Sequence, residues 1–506
     1  MIATFQAALS AHPLAWSLFG VYLAFTFWLA YLGHKRTKSF EDFAVGGRSM
    51  GPGLAGMTLG ACLASTATFV INPGFVYAYG VPALVALTLP LFGGVFAGLA
   101  VLGKGFREHG KQATTLPIWI GQRYGSQGLR AWFALLSILH VFYVVLIVVG
   151  AALVMKNTMG LSYGMAVATV VCVVFSYVCF GGTYAHAYTN TAQGAVMLVV
   201  AALIFVFALA AIGDPSTALE QLAAQDPQLT GLVHTKSPFY TTLFEVLVCP
   251  FVIGFALVAQ PHLLLKTLYL KDTKDLVAFG ATGFGCFVVF SLVLFGGLAA
   301  RLEFGGELAQ DAAMSKWLAG AFPSWLGAVV CVAILAAAMS TLDGLLVAVS
   351  AIVGGDLVAH PTVAETLGVA PERRNALALW AGRGTIVVLG VIAWVVALNP
   401  PTLVGIFGTI GTYGLLVASL PAVLFGVLLK NPLKSRGIWV GSIVGLAVHL
   451  GLYYSGWSIN TGLTATLALF AALPATFVAG WSPAPAEAAC EDEPTTPTPS
   501  QRLVAA

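Results

Sequence analysis

Long apolar runs, each of about 20 residues, recur along almost the whole chain. A helix of that length crosses roughly 30 Å of hydrocarbon. Thirteen such runs have the approximate bounds 13–33, 51–80, 81–103, 131–155, 162–183, 190–213, 241–264, 276–300, 324–352, 376–398, 403–428, 437–455 and 460–480. Only helices and closed barrels satisfy the backbone in lipid, and these runs lack the alternation of barrel strands. The sequence therefore predicts an all-α polytopic membrane protein with about 13 transmembrane helices.

Composition supports this class. The 506 residues are 59% hydrophobic and 8% charged, whereas about a quarter of a soluble domain is charged. The first run is followed by His34, Lys35 and Arg36 instead of a small-residue cleavage site, so it reads as a retained helix. We expect a multi-pass protein of the cell membrane, in contact with the lipid bilayer, with no nucleic acid partner and no obligate protein partner.

Basic residues fall unevenly on the two sides of the predicted spans. The segments on one side, together with the tail, hold 18 Lys and Arg residues, including Lys266, and those on the other side hold four. The positive-inside rule then predicts an external N-terminus and a cytoplasmic C-terminus. We expect residues 1–480 to form the transmembrane domain and residues 481–506, rich in Pro, Ala, Thr and Glu, to be a disordered cytoplasmic tail.

Spans two to six and seven to eleven form two blocks of five, at about 51–213 and 241–428. Because five is odd, the second block enters the membrane from the opposite side, which is the arrangement of an inverted repeat. In such transporters the first helix of each block is interrupted, and its freed backbone groups bind cargo and ion. Both helices carry breakers, which are Gly60, the Ser65, Thr66 and Thr68 cluster and Asn72-Pro73-Gly74 in one, and Pro250, Gly254 and Gln260-Pro261-His262 in the other.

The ninth span contains adjacent hydroxyls at Ser340 and Thr341, one turn beyond Ala337. Hydroxyl and carbonyl oxygens are the ligands that hard cations prefer. A local distortion that frees the Ala337 carbonyl would complete part of a sodium site. The alternative is that both hydroxyls bond back to carbonyls of their own helix.

Several segments together resemble the sodium:solute symporter family over about residues 10–480. They are Phe40 to Gly51, the following helix to Pro73-Gly74 with Tyr77-Ala-Tyr-Gly80, the Gln260-Pro-His262 element and residues 337–341. The resemblance implies a LeuT-like inverted-repeat core of five plus five helices. It also implies a sodium site made by the carbonyls of Ala61, Ala64 and Ala337 and the hydroxyls of Ser340 and Thr341.

The chain departs from patterns common in that family at positions that concern ion exit and cargo. Asn190 stands where many members have Asp, and Asp343 is a second candidate for the ion exit path. Proline-transporting members resemble one another in aromatic residues that fall here on Ala67, Ile253 and Leu257, which ranks proline low. The segment Asp226-Pro-Gln-Leu229 looks more like pantothenate and monocarboxylate members.

The resemblance implies sodium-coupled symport of a small organic solute, and the loop likeness favours a monocarboxylate or pantothenate-like acid. Sodium would be the coupling ion, with no other cofactor. A proline-like amino-acid symporter, a proton-coupled carrier and a membrane sensor on the same bundle are alternatives, while an enzyme is not expected. The predicted solute-binding residues, chosen because they face the two breaks, are Ser65, Thr68, Phe69, Tyr143, Phe255, Gln260 and Tyr413.

Overall fold

The structure is a computed structural model that describes residues 2–110, 112–400 and 403–481. Except for Trp481, the predicted tail at 481–506 lies outside the described residues. Within them, the sole β pairing is one isolated bridge between Met50 and Leu270. The prediction of an all-α protein is therefore confirmed.

The helices that carry the architecture follow the predicted apolar runs closely. In chain order they are α1 (Pro13–Arg36), α2 (Pro52–Leu63), α3 (Ala67–Tyr79), α4 (Val81–His109), α5 (Gln127–Met159), α6 (Tyr163–Cys179), α7 (Gly182–Ile212), α8 (Phe244–Leu257), α9 (Pro261–Tyr269), α10 (Thr273–Phe304), α11 (Ser324–Val358), α12 (Pro371–Leu398), α13 (Val404–Leu428), α14 (Ser435–Tyr454) and α15 (Thr461–Gly480).

Among the described residues, ten of these helices are long and apolar enough to cross a membrane, and two bent pairs raise the number to as many as 12. The fifth predicted run coincides with α6, a shorter apolar helix. The count of 13 and the orientation of the termini stay predictions.

Burial separates central helices from peripheral ones. In α11, α13 and α5, 83%, 78% and 67% of the most apolar window is buried, against 22% in α1 and α4. The peripheral helices expose large apolar side chains, such as Trp380 at 68% and Val199 at 62%. An apolar outer surface of this extent is suited to lipid.

Two helix pairs are bent at short breaks. The α2–α3 pair bends by 50° and the α8–α9 pair by 63°. The first break falls on the predicted Ser65 and Thr66 cluster and the second precedes Pro261, so the prediction that each block begins with an interrupted helix is confirmed. Pro250 and Gly254 do not break α8, which runs through both residues; a π-helical turn at Phe244–Val248 directly precedes Pro250.

The second bent pair also extends beyond the predicted end of its run. That run was expected to end at residue 264, but α9 continues to Tyr269 through a 3₁₀ segment. Lys266 therefore lies inside the bundle with 0% exposure, and counting it among the basic loop residues was wrong. Its removal leaves 18 − 1 = 17 basic residues on that side against four, so the orientation prediction keeps its basis.

Candidate ion and solute sites

The five predicted sodium ligands come together where the end of α2 meets the middle of α11. Ser340 Oγ lies 3.0 Å from the Ala61 carbonyl and 2.8 Å from the Ala337 carbonyl. Thr341 Oγ1 lies 3.4 Å from the Ala64 carbonyl and 3.5 Å from that of Ala337. All five residues are at most 1% exposed. Five oxygens from two helices thus converge in one buried place.

The break in the first core helix explains why carbonyls are available there. Helix α2 ends at Leu63, and Ala64 is extended, with φ −95° and ψ 105°. The Ser65 hydroxyl accepts a hydrogen bond from the Ala67 N–H at 3.0 Å, and Thr68 Oγ1 lies 3.3 Å from the Ser65 N–H. These side chains replace part of the lost helical hydrogen bonding. The carbonyls before the break are left to face α11.

The opposite helix is more regular than the sequence suggested. The expected distortion at Ala337 is not present, because the backbone is continuously α-helical from Ser324 to Ile352. The hydroxyls bond back to the Ala337 carbonyl within α11, as the alternative predicted, and they also lie within hydrogen-bond distance of carbonyls at the end of α2. The Cys62 carbonyl, 3.2 Å from Thr341 Oγ1, is a further oxygen that motif matching missed.

A charged network lies just beyond the oxygen cluster on α11. Asp343 is 1% exposed and accepts hydrogen bonds from the Tyr177 hydroxyl and, at 3.2 Å, from the Thr189 hydroxyl. Lys266 donates to His186 Nε2 at 2.8 Å. Thr189 Oγ1 also lies 3.2 Å from the His186 carbonyl, which links the two sets of contacts. Buried charges are costly unless they are partnered, so these side chains depend on one another.

Asn190 does not supply a carboxylate to this network. It is fully buried, and neither oxygen nor nitrogen of its amide has a hydrogen-bond partner among the described residues. Its neighbour Thr189 contacts Asp343 instead. The carboxylate of this network is therefore Asp343 on α11.

A cavity of about 260 Å³ opens beside the two breaks. Three of the seven predicted solute-binding residues line it, namely Thr68, Tyr143 and Tyr413. Most other lining side chains are apolar, and the lining contains no Lys or Arg among the described residues. Its size and mixed lining suit a small solute with a few polar groups.

The other four predicted residues lie outside this lining. Phe69 is fully buried with its ring edge toward Phe290 of α10, at 6.1 Å. The Ser65 hydroxyl accepts a hydrogen bond from the Ala67 N–H within the break. Phe255 belongs to the segment of α8 packed on α4, where Gly94 and Gly98 approach its backbone. The position of these residues along the sequence did not reveal which side of each helix faces the cavity.

Gln260, the remaining predicted residue, sits immediately behind the cavity. It is fully buried, and its Nε2 donates to the Thr412 carbonyl on α13 at 2.8 Å. The next residue but one, His262, does line the cavity. The second break therefore contributes to the cavity wall through His262.

Several lining residues were not predicted as solute ligands. Glu245, at the start of α8, accepts from the Thr241 N–H at 2.8 Å and from Asn460 Nδ2 at 3.2 Å. A carboxylate within an apolar run is itself a signal that sequence reasoning could have used. Ala67, Ile253 and Leu257, which stand where proline transporters carry aromatic residues, also line the cavity.

Known proteins resemble this chain in sequence and in fold. The sequence profile described as "Sodium:solute symporter family" matches residues 43–445. A sodium/pantothenate symporter of Escherichia coli is 28% identical over 460 residues, which cover 86% of this chain and 91% of that protein. The corresponding protein of Haemophilus influenzae is 26% identical over 457 residues, covering 86% and 90%.

A sodium/proline symporter of Escherichia coli is 25% identical over 465 residues, covering 87% of this chain and 88% of that protein. Among solved structures, an outward-open Na⁺-coupled sialic acid symporter aligns with a TM-score of 0.75 at 17% identity. That alignment covers 92% of this chain and 97% of the other. At this identity the likeness establishes the fold.

Proposed function

Because this chain belongs to the sodium:solute symporter family, it is a multi-pass membrane transporter that couples solute uptake to sodium, and we propose that its solute is a small organic acid. The acid is a monocarboxylate or a pantothenate-like compound. This choice rests on the cavity, on the departures from proline transporters and on the likeness to pantothenate symporters. The alternatives are a proline-like solute and proton coupling.

The convergence of Ala61, Ala64, Ala337, Ser340 and Thr341 is the observation that carries the mechanism. Their oxygens are neutral and almost fully buried, and a sodium ion among them would replace hydrogen bonds with ion–oxygen contacts. Hard cations favour such oxygen sets. Since the ligands come from α2 and α11, bound sodium would hold the two helices together.

Sodium binding at this position would also order the break that borders the cavity. Ala64 precedes Ser65 and Thr68, and Thr68 lines the cavity. An ion that fixes the end of α2 therefore fixes one wall of the solute site. The coupling between ion and solute is then a shared conformation with a reciprocal free energy.

The charge of the solute sets how many sodium ions are needed. One sodium crossing about 100 mV gains roughly 2.3 kcal/mol, and a tenfold gradient adds roughly 1.4 kcal/mol. Together these concentrate a neutral solute several hundredfold. A monovalent anion carried one for one cancels the electrical part and is concentrated only about tenfold, so strong uptake of an organic acid favours more than one sodium.

Neutral donors in the cavity wall suit a carboxylate, and Glu245, the one acidic residue of the lining among the described residues, is already hydrogen-bonded to Thr241 and Asn460. Hydroxyls of Tyr143 and Tyr413 and the amide of Asn72 belong to residues of the lining, whereas no lysine or arginine does among the described residues. Proline is less well matched, because small or aliphatic side chains occupy Ala67, Ile253 and Leu257 in the cavity wall. A larger lining residue would fill the space that an extended acid requires.

Uptake by the purified full chain in proteoliposomes tests this proposal. Labelled pyruvate, lactate, acetate, pantothenate and several amino acids are compared under an inward sodium gradient, a proton gradient, and neither. We expect sodium-driven accumulation of at least one acid. Accumulation of proline alone would overturn the choice of solute, and accumulation driven by protons without sodium would overturn the coupling ion.

A further inference from the structure

The polar end of the cavity contains a cluster of side-chain atoms without hydrogen-bond partners. Gln260 Oε1, His140 Nε2 and His262 Nδ1 are buried and have no partner among the described residues. The three side chains are neighbours, since the His140 and His262 rings meet edge to face at 5.2 Å and the Gln260 amide is close enough to His140 to pair with it if His140 Nε2 carries a proton. Thr412, another polar residue of the wall, is satisfied, since its hydroxyl donates to the Gly408 carbonyl at 2.9 Å.

Two of these atoms are hydrogen-bond acceptors. His140 Nδ1 lies 3.0 Å from the Ser137 carbonyl, which can only accept, so this nitrogen carries the proton. The ring is neutral because a charged imidazole buried without a carboxylate partner is costly, and its Nε2 is then an acceptor. Gln260 is fixed in the same way. Its Nε2 donates to the Thr412 carbonyl, which leaves Oε1 as an acceptor.

Buried acceptors without donors are unfavourable, and two acceptors cannot satisfy each other. The group that completes this cluster must bring an O–H or N–H. A carboxylate or a ketone oxygen would add a third acceptor and be repelled. Only His262 of the three side chains lines the cavity, so a solute reaches the other two only if this ring turns aside.

We propose that Gln260 and His140, which lie behind His262, form a subsite that accepts hydrogen bonds from a hydroxyl group of the transported acid. The chain then selects hydroxy acids, or acids with a hydroxylated acyl group, over oxo acids of the same size. Pantothenate, which bears two hydroxyls, belongs to the favoured class, and pyruvate and acetate do not. This inference rests on the proposed function and narrows its solute class.

Matched pairs of acids that differ only in this group test the subsite. L-lactate is compared with pyruvate, 3-hydroxybutyrate with acetoacetate, and pantoate with 2-oxopantoate, by thermal stabilisation of the purified full chain in saturating sodium. We expect at least one hydroxy acid to bind about tenfold or more tightly than its oxo partner, the size of one unmade buried hydrogen bond. Equal or tighter binding of the oxo acids, or binding of no hydroxy acid, overturns the subsite.

Variants locate the selectivity. Gln260→Met and His140→Phe remove one acceptor each, and we expect either to bring the hydroxy-to-oxo ratio close to one. Ser419→Ala, which removes a buried hydroxyl bonded within α13, should leave the ratio unchanged. A ratio that is unaffected in both acceptor variants would also overturn the subsite. If one variant does not fold, the other variant and the matched acids measured on the wild-type protein still test the subsite.

The same measurements separate this inference from the proposed function. Sodium-driven uptake of hydroxy and oxo acids at equal rates would remove the subsite and leave sodium-coupled uptake of an acid in place. Absence of sodium-dependent uptake for every acid tested would overturn the proposed function itself. Thermal stabilisation by sodium alone, relative to potassium, shows in each case that the protein is folded.

Discussion

The two breaks of the core differ in how their polar groups are satisfied. At the first break, the hydroxyls of Ser340 and Thr341 and the nearby carbonyls lie within hydrogen-bond distance of one another. At the second, Gln260 Oε1 and the nearby His140 Nε2 have no partner among the described residues. A complete set of oxygens indicates a site largely formed before its ion arrives. An incomplete set indicates that the missing donor comes from the solute.

The difference follows from the helices that face each break. The first break faces the regular helix α11, which presents two hydroxyls one turn beyond Ala337. The second faces α13 and the segment around His140, which offer a carbonyl and a ring nitrogen but no donor to Gln260 Oε1. Ion recognition here needs only oxygens at a fixed distance, whereas solute recognition depends on which atoms carry protons.

The largest expected effect concerns the two hydroxyls at the first break. Ser340→Ala with Thr341→Val removes two oxygens, each contributing about 2 kcal/mol to a charged contact, so sodium half-saturation should rise about a thousandfold. The sodium dependence of uptake measures this. Ser350→Ala removes another buried hydroxyl of α11, bonded to the Val347 carbonyl, and should change nothing. Unchanged sodium dependence in the double variant would remove the distinction between the breaks.

The charged network beside the first break should show energetic coupling. Asp343→Asn and Lys266→Met each remove one buried charge and leave the other less compensated. The double variant contains neither charge. We expect a double-mutant cycle on the free energy of unfolding to give about 1–3 kcal/mol of coupling. The exposed pair Lys104 and Glu108, 3.9 Å apart, is the control and should give about 0.3 kcal/mol. Equal coupling energies for the two pairs would show that the buried network does not stabilise the region of the proposed ion site.

Removing a phenol from the cavity should affect the solute more than the ion. Tyr143→Phe or Tyr413→Phe deletes one hydroxyl, and loss of about 1 kcal/mol raises the solute concentration for half-maximal uptake about fivefold. The sodium dependence of these variants at saturating solute should stay as in the wild type. Tyr454→Phe, at a residue that is 70% exposed, serves as control. A larger change in sodium dependence than in solute affinity would contradict the separation of the two sites.

The smallest expected effect distinguishes two neighbouring residues of α8. Leu257 lines the cavity and Phe255 does not. Leu257→Val removes one methylene, about 0.8 kcal/mol, and should weaken solute affinity about threefold to fourfold. Phe255→Leu should leave it unchanged. The same uptake assay applies, and the reverse order would show that the cavity wall is turned differently in the transporting state.

The sequence by itself determined the class of protein and named the five residues whose oxygens meet at the proposed ion site. Apolar runs of fixed length have few structural solutions in lipid, which is why nearly every helix falls on its predicted run. The order of motifs indicated the family, and the resemblance supplied the five proposed sodium ligands, which meet because they belong to one short segment at a helix break and one turn of a single helix. Within such short segments, residue type and spacing largely set which atoms can meet.

The tertiary structure decided what depends on helix rotation and on contacts between distant segments. Sequence position placed Phe69 and Phe255 near the breaks, but packing turned them away from the cavity, and it turned Ile253 and Leu257 toward it. Lys266 reads as a loop residue until the 3₁₀ extension of α9 buries it against His186, 80 positions away in sequence. The acceptor pair of Gln260 and His140 joins two distant segments in the same way. Which polar atoms stay unpartnered is a property of the packed bundle, because each depends on the proton positions of its neighbours in space.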